Sequence, residues 1–87
     1  MATVHVASPL RSYTHGAGRV EAAGSTLAEI LRDLDRHYPG MRFRMIDEQD
    51  RIRRHIRLFV NTAEAADLAA PVRGNDEVHL ICALSGG

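Results

Sequence analysis

The chain has 87 residues and a mass of 9.6 kDa, which is the size of one small domain, and 45% hydrophobic with 25% charged residues is ordinary globular composition. Eleven basic residues balance eleven acidic ones, so the chain lacks the excess positive charge that binds nucleic acid or anionic membranes. The one cysteine excludes an internal disulfide, and no apolar run approaches the roughly 20 residues of a membrane span. We expect a soluble, cytoplasmic protein with neither nucleic acid nor membrane as partner.

The N-terminal segment predicts a β-hairpin. Residues 3–7 alternate apolar and polar side chains, as a half-buried strand does, and residues 10–13 are a candidate extension of that strand. Gly16 and Gly18 supply a turn. Residues 19–22 then form the predicted returning strand.

The next segment predicts one amphipathic helix from about Thr26 to Tyr38. Thr26 and Glu29 have the spacing of a capping box at its start, and Pro39-Gly40 ends it. The apolar stripe consists of Leu27, Ile30, Leu31, Leu34 and Tyr38.

The second half of the chain predicts further strands. Residues 41–46 form either a short strand or a single irregular turn. Its large side chains are expected to close the end of the core; they are Met41, Phe43, Met45 and Ile46. Alternation returns at residues 55–60, and residues 62–72 form a connection. A final apolar strand, residues 78–84, is expected to be covered on much of both faces, with Cys82 as a small buried hydrophobe.

The order of elements predicts the fold. A β-β-α-β-β chain with one helix must lay that helix across one face of a mixed sheet, with the first and last strands parallel at its centre. We therefore predict an α+β, ubiquitin-like β-grasp domain over residues 1–84, followed by a flexible tail at residues 85–87. The opposite face of the sheet should be solvated or covered by a partner.

No constellation of residues predicts an active site within the domain. The chain has no glycine-rich phosphate loop. Its histidines lack the paired spacing of metal ligands, so we expect neither a metal site nor catalytic residues. The histidines are His5, His15, His37, His55 and His79.

The C-terminal Ser85-Gly86-Gly87 is the remaining candidate. Two residues without a Cβ make a narrow tail that can enter an enclosed pocket. The carboxylate of Gly87 is a poor electrophile and must be activated, for example as a mixed anhydride with AMP, by another protein. The alternative is an inert, frayed terminus.

The sequence resembles the ThiS/MoaD family of sulfur-carrier proteins in three places. These are the helix that ends at Tyr38-Pro39-Gly40, the strand at residues 56–61, and the turn at residues 74–78 that leads to Gly86-Gly87. The family usually has a glycine where this chain has Thr62, so the tightness of that turn is in question.

The resemblance implies that a ThiF/MoeB-like enzyme uses ATP to adenylate Gly87, that a sulfur donor converts it to a thiocarboxylate, and that a biosynthetic enzyme accepts the sulfur. The product could be cysteine, molybdopterin, thiamin or a natural product. The chain would be a protein co-substrate that binds no cofactor and is not an enzyme. Two alternatives remain: the small subunit of a stable complex such as molybdopterin synthase, and an interaction module with an inert tail.

The resemblance also implies a docking surface. Phe59, flanked by Arg57 and His55, would dock the adenylating partner from the open face of the sheet. Alternatively, Phe59 packs beneath the connection at residues 62–72. The neighbouring arginines at 51, 53 and 54 are expected to be a solvated edge, and the absence of lysine is compatible with a chain that carries an amine-sensitive acyl group.

Overall fold

The computed structural model describes residues 1–83. Five strands form one mixed sheet in the order β2-β1-β5-β3-β4. The pairing of β1 with β5 is parallel and the other pairings are antiparallel. The elements in chain order are β1 (Ala2–Val6), a 3-10 helix (Ser8–Leu10), β2 (Arg19–Ala22), α1 (Leu27–His37), α2 (Met41–Met45), β3 (Ile56–Val60), β4 (Ala63–Glu64) and β5 (Glu77–Cys82).

The predicted β-grasp architecture is confirmed. The inward side chains of the sheet, such as Val4 and Leu80, are almost fully buried against the apolar stripe of α1, which includes Ile30 and Leu34. The predicted parallel pairing of the first and last strands is also confirmed. No helix within residues 1–83 combines the length and the apolar character needed to cross a membrane.

The link between β1 and β2 is longer than a hairpin turn. Ser8–Leu10 forms a 3-10 helix because Pro9 favours a helical start and cannot donate to a strand ladder, so the predicted strand extension at residues 10–13 is wrong. Leu10 enters the core. The Arg11 side chain donates from Nε to the Val6 carbonyl at 2.9 Å, which closes the loop against the end of β1.

The predicted start of α1 is confirmed with one difference. The Thr26 hydroxyl accepts from the Glu29 backbone amide at 3.3 Å, as an N-cap does. The Glu29 carboxylate reaches back to Ser25 instead of Thr26, accepting from its amide at 2.8 Å and its hydroxyl at 2.9 Å. These hydrogen bonds lower the pKa of Glu29.

Residues 41–45 form a short helix, which was not among the predicted alternatives. Met41 and Met45 lie one helical turn apart and are both buried, whereas Phe43 lies on the opposite side and is 56% exposed. The short segment therefore closes the end of the core, as predicted, but without Phe43.

The turn between β3 and β4 is tight even though it lacks a glycine at position 62. Val60 pairs with Ala63, so only two residues form the loop. Asn61 adopts the left-handed conformation (φ 55°) that such a turn needs, and asparagine tolerates it. Its side chain donates to the Asp76 carboxylate at 3.1 Å and accepts from the Glu77 amide at 3.0 Å, which ties the turn to the start of β5.

Only one face of β5 is covered. Val78 and Leu80 are buried, but Ile81 on the other face is 41% exposed. The prediction that the last strand is covered on both faces is therefore wrong, while the prediction of an accessible second sheet face is confirmed.

Substitution of Gly24 tests how closely the link between β2 and α1 is packed. A Cβ at Gly24 would lie 2.7 Å from Glu29 Cβ and 2.8 Å from the backbone nitrogen of Ile30, at the rigid start of the helix. We expect Gly24→Ala to lower the free energy of unfolding by about 1–3 kcal/mol in urea denaturation. Gly74→Ala, whose Cβ would meet nothing within 4 Å, is the matched control. Equal stability of the two variants would contradict the packing described here.

Candidate functional site

The structure does not describe the predicted site of adenylation, Gly87, or the other two residues of the predicted tail, Ser85 and Gly86. The predicted domain boundary after residue 84 also lies outside the described residues. The structure describes how the chain approaches them. β5 is the middle strand of the sheet, and just beyond its end the exposed Ala83 donates from its amide to the His55 carbonyl at 2.7 Å. The last described residue, Ala83, therefore lies at the centre of the sheet, beside the segment that precedes β3.

The outer face of the sheet is the side away from α1. Outward residues of neighbouring strands stand opposite one another there, and one row crosses all five strands. This row consists of Arg19, His5, His79, Phe59 and Glu64. The surface is thus mixed in character, with an aromatic ring between an imidazole and a carboxylate.

Phe59 lies on this outer face. It is half-buried, opposite His79 on β5 and Glu64 on β4, and it is not among the side chains that form or flank the core. Residues 63–64 thus lie beside Phe59 in the sheet rather than over it, which favours the open-face interpretation over packing beneath the connection. The predicted role of Phe59 in docking stays a prediction.

Arg57 shares the outer face with Phe59. Its guanidinium lies 3.2 Å from the Glu64 carboxylate, and both side chains are about half exposed. An ion pair with this exposure contributes little to stability. Arg57 can therefore exchange this partner for an acidic group on another protein at small cost.

His55 lies apart from the outer-face row. It precedes β3 and is exposed, and it lines a shallow groove with Phe43, Arg44 and Arg53. The Arg53 guanidinium lies 4.6 Å from the centre of the Phe43 ring, and its Nε donates to the Phe43 carbonyl at 2.7 Å. The structure therefore brings Phe59 and Arg57 together but places His55 in a second, basic and aromatic surface.

The exposure of Phe43 was not predicted from the sequence, because residues 41–45 were not treated as helical. With a period of 3.6 residues, Met41 and Met45 share one side and Phe43 faces away from them. A helical interpretation of the five residues would have predicted the exposed ring.

Cys82 faces inward and flanks the core, as predicted, although it is only half-buried. Burial raises the pKa of the Cys82 thiol, and the positive charge of Arg44 opposes that change in part. A raised pKa reduces the fraction of reactive thiolate. Cys82 is therefore poorly suited to act as a nucleophile or sulfur acceptor.

Two of the five histidines lie side by side in the sheet. His5 and His79 stand opposite each other on β1 and β5, with ring centroids 4.5 Å apart and ring planes 9° apart. Glu77 lies on the same face, with Oε1 2.6 Å from His5 Nε2. Spacing along the sequence could not show this cluster, but outward parity on two strands predicted to be parallel neighbours could have done so.

Comparison with known proteins assigns the chain to a family. The family model described as "ThiS family" matches residues 4–87. The chain belongs to the ThiS family. The sulfur carrier protein CysO of Mycobacterium tuberculosis is 30% identical over 90 aligned positions, which cover 98% of this chain and 97% of the relative.

Solved structures agree with the family assignment. CysO in the Amycolatopsis orientalis BexX/CysO complex superposes with a TM-score of 0.92 at 31% identity, with both chains fully covered. Mycobacterium tuberculosis CysO gives 0.91 at 28% identity, covering 97% of this chain and all of the other. The small archaeal modifier protein 1 of Methanosarcina acetivorans gives 0.82 at 19% identity, covering 99% and 95%, and this similarity concerns the fold alone. The homology to CysO and the family match together support a sulfur-carrier role.

Proposed function

We propose that this ThiS-family chain carries sulfur as a thiocarboxylate on Gly87. The observation that carries the proposal is the family match, which extends from residue 4 through the Gly86-Gly87 pair to residue 87. Alignment with CysO over almost the whole length of both chains supports it. The chain then acts as a co-substrate, and its partners supply the catalytic groups.

The chemistry requires two steps on the Gly87 carboxylate. A carboxylate oxygen first attacks the α-phosphorus of ATP on a ThiF/MoeB-like enzyme, and pyrophosphate leaves. A sulfur donor equivalent to hydrosulfide then attacks the acyl carbon of the adenylate; the carbon–sulfur bond forms, AMP leaves with the oxygen, and a proton is released. ATP thus acts as a substrate of the partner, and this proposed need for ATP supports a cytoplasmic location for the reaction.

The position of β5 supports the proposal that Gly87 reacts in a pocket of a partner and not within its own domain. The last described residue, Ala83, is exposed just beyond the middle strand. Four residues follow it, and a fully extended chain of that length spans at most about 14 Å. Such a reach is enough to enter a pocket of a partner, provided that the partner rests against the surface around the end of β5.

The outer face is the surface that we propose for docking of the adenylating partner. Phe59 offers a half-buried aromatic ring, and Arg57 offers a charge that is only weakly paired. Aromatic and arginine side chains contribute more than most residues to protein interfaces. The Amycolatopsis relative occurs in a complex with BexX, which supports a protein partner for this chain. The enzyme that accepts the sulfur would be a further partner.

Deletion of Gly87 tests the chemical proposal. Incubation of the intact chain with ATP, a ThiF/MoeB-like enzyme of the same organism and a sulfide source should raise its mass by about 16 Da, since one oxygen is replaced by sulfur. The chain without Gly87 should show no such gain and should unfold at the same urea concentration as the parent. Gly74→Ala, at an exposed position where a Cβ meets nothing within 4 Å, is the control that should gain the full mass. A mass gain in the deleted chain would disprove the assignment to Gly87.

Substitution of Phe59 tests the docking surface. We expect Phe59→Ser to weaken binding to the adenylating enzyme by about tenfold or more in isothermal titration calorimetry, as loss of an interface anchor does. Its unfolding free energy should change little, because the ring lies outside the core. Phe43→Ser removes an exposed ring from the other surface and is the matched control. Stronger weakening by Phe43→Ser would move the docking surface to the groove beside His55.

A further inference from the structure

A cluster of possible metal ligands lies on the outer face, across the two central strands. The parallel register of β1 and β5 places His5 directly opposite His79, with their rings stacked 4.5 Å apart. Glu77 precedes His79 by two residues and therefore points to the same side. Its Oε1 atom approaches His5 Nε2 to 2.6 Å. Neither catalysis nor sulfur transfer as proposed above uses these three side chains.

We propose that His5, His79 and Glu77 form a binding site for a borderline divalent ion such as Zn²⁺. Two imidazole nitrogens and one carboxylate oxygen are ligands that Zn²⁺ prefers, whereas Mg²⁺ and Ca²⁺ prefer oxygen ligands alone. One ligand atom from each residue lies within 4.8 Å of the other two. The proposal concerns metal binding and does not depend on the sulfur-carrier role.

The adjustment needed to bind the ion is small. Zinc–nitrogen bonds of about 2.0–2.1 Å in a tetrahedron place ligand atoms about 3.3 Å apart. The 2.6 Å separation of Glu77 Oε1 from His5 Nε2 must therefore widen by about 0.7 Å, and no other separation must shrink by more than about 1.5 Å. Side-chain rotation can supply this, because the side chains of His5 and Glu77 are 32% and 56% exposed. The backbone need not move, since the neighbouring inward residues Val4 and Val78 are fully buried and hold the two strands in register.

The neighbouring side chains define the electrostatic setting of the site. Arg19 on β2 stands opposite His5 and opposes a cation, whereas Glu21 on the same strand stands opposite Thr3 and favours one. Phe59 on β3 flanks His79 on the other side. Three protein ligands would leave a fourth coordination position for a water molecule.

The test is a Zn²⁺ titration of the tag-free chain in a non-chelating buffer, followed by calorimetry. We expect one Zn²⁺ per chain and no binding of Mg²⁺. His5→Gln, His79→Gln and Glu77→Gln should each weaken Zn²⁺ binding by at least about tenfold, because loss of even an outer-shell partner can cost that much. His15→Asn changes an exposed histidine outside the cluster to a residue that tolerates its positive φ, and it should bind Zn²⁺ as the parent does.

A second measurement on the parent chain avoids any effect of substitution on folding. Zn²⁺ should shift the imidazole nitrogen resonances of His5 and His79 in nuclear magnetic resonance spectra and leave those of His15, His37 and His55 in place. The proposal is overturned if these two resonances do not move at a molar excess of Zn²⁺. It is equally overturned if His5→Gln and His79→Gln, shown to be folded by thermal denaturation, retain the parent affinity.

Discussion

The parallel pairing of β1 with β5 is the constraint on which the rest of this structure depends. It brings the first and last strands together at the middle of the sheet, and opposed pairs such as Val4 with Val78 are fully buried on the inner face. Each such side chain contributes about 1.5–3 kcal/mol on burial. The apolar cover within residues 1–83 comes from α1, α2 and connecting residues such as Leu10 and Val72, and it lies on the inner face of the sheet, so the core is one-sided. The outer face therefore remains available to other molecules.

This one-sided core explains how so small a chain can serve as a carrier. The inner face supplies stability, and the outer face carries Phe59 and Arg57, the residues proposed to contact a partner. The central strand leads toward the residue proposed to carry the sulfur. The same parallel pairing creates the cluster of His5, His79 and Glu77, since neither strand alone holds three ligands. Core packing, the proposed partner contacts and the proposed metal site thus rest on different side chains, although Phe59 stands next to His79 on the outer face.

The helices and strands that were predicted correctly are those with a long, continuous pattern of apolar and polar residues. The stripe and caps of α1 span three turns, and the alternation in β1, β3 and β5 determines which residues point inward. Shorter elements were harder: α2 has five residues, too few for a helical period to be distinguished from alternation, and so the exposure of Phe43 was missed. The cluster around His5 was missed for a different reason. His5 lies 72 residues from Glu77 along the chain, and the cluster forms only through the register of two strands.

The central claim is that Gly87 carries the sulfur, and the most direct test is to locate the acquired sulfur within the chain. After incubation with ATP, the adenylating enzyme and a sulfide source, fragmentation mass spectrometry of the intact protein should place a gain of about 16 Da on C-terminal fragments, down to the one that contains Gly87 alone. A gain of about 32 Da on fragments that contain Cys82 would instead indicate a persulfide on that thiol, formed by transfer of a sulfane sulfur atom from polysulfide in the sulfide source, with the shortened polysulfide as leaving group. That second result would contradict the account, because burial raises the pKa of Cys82 and disfavours its reactive form.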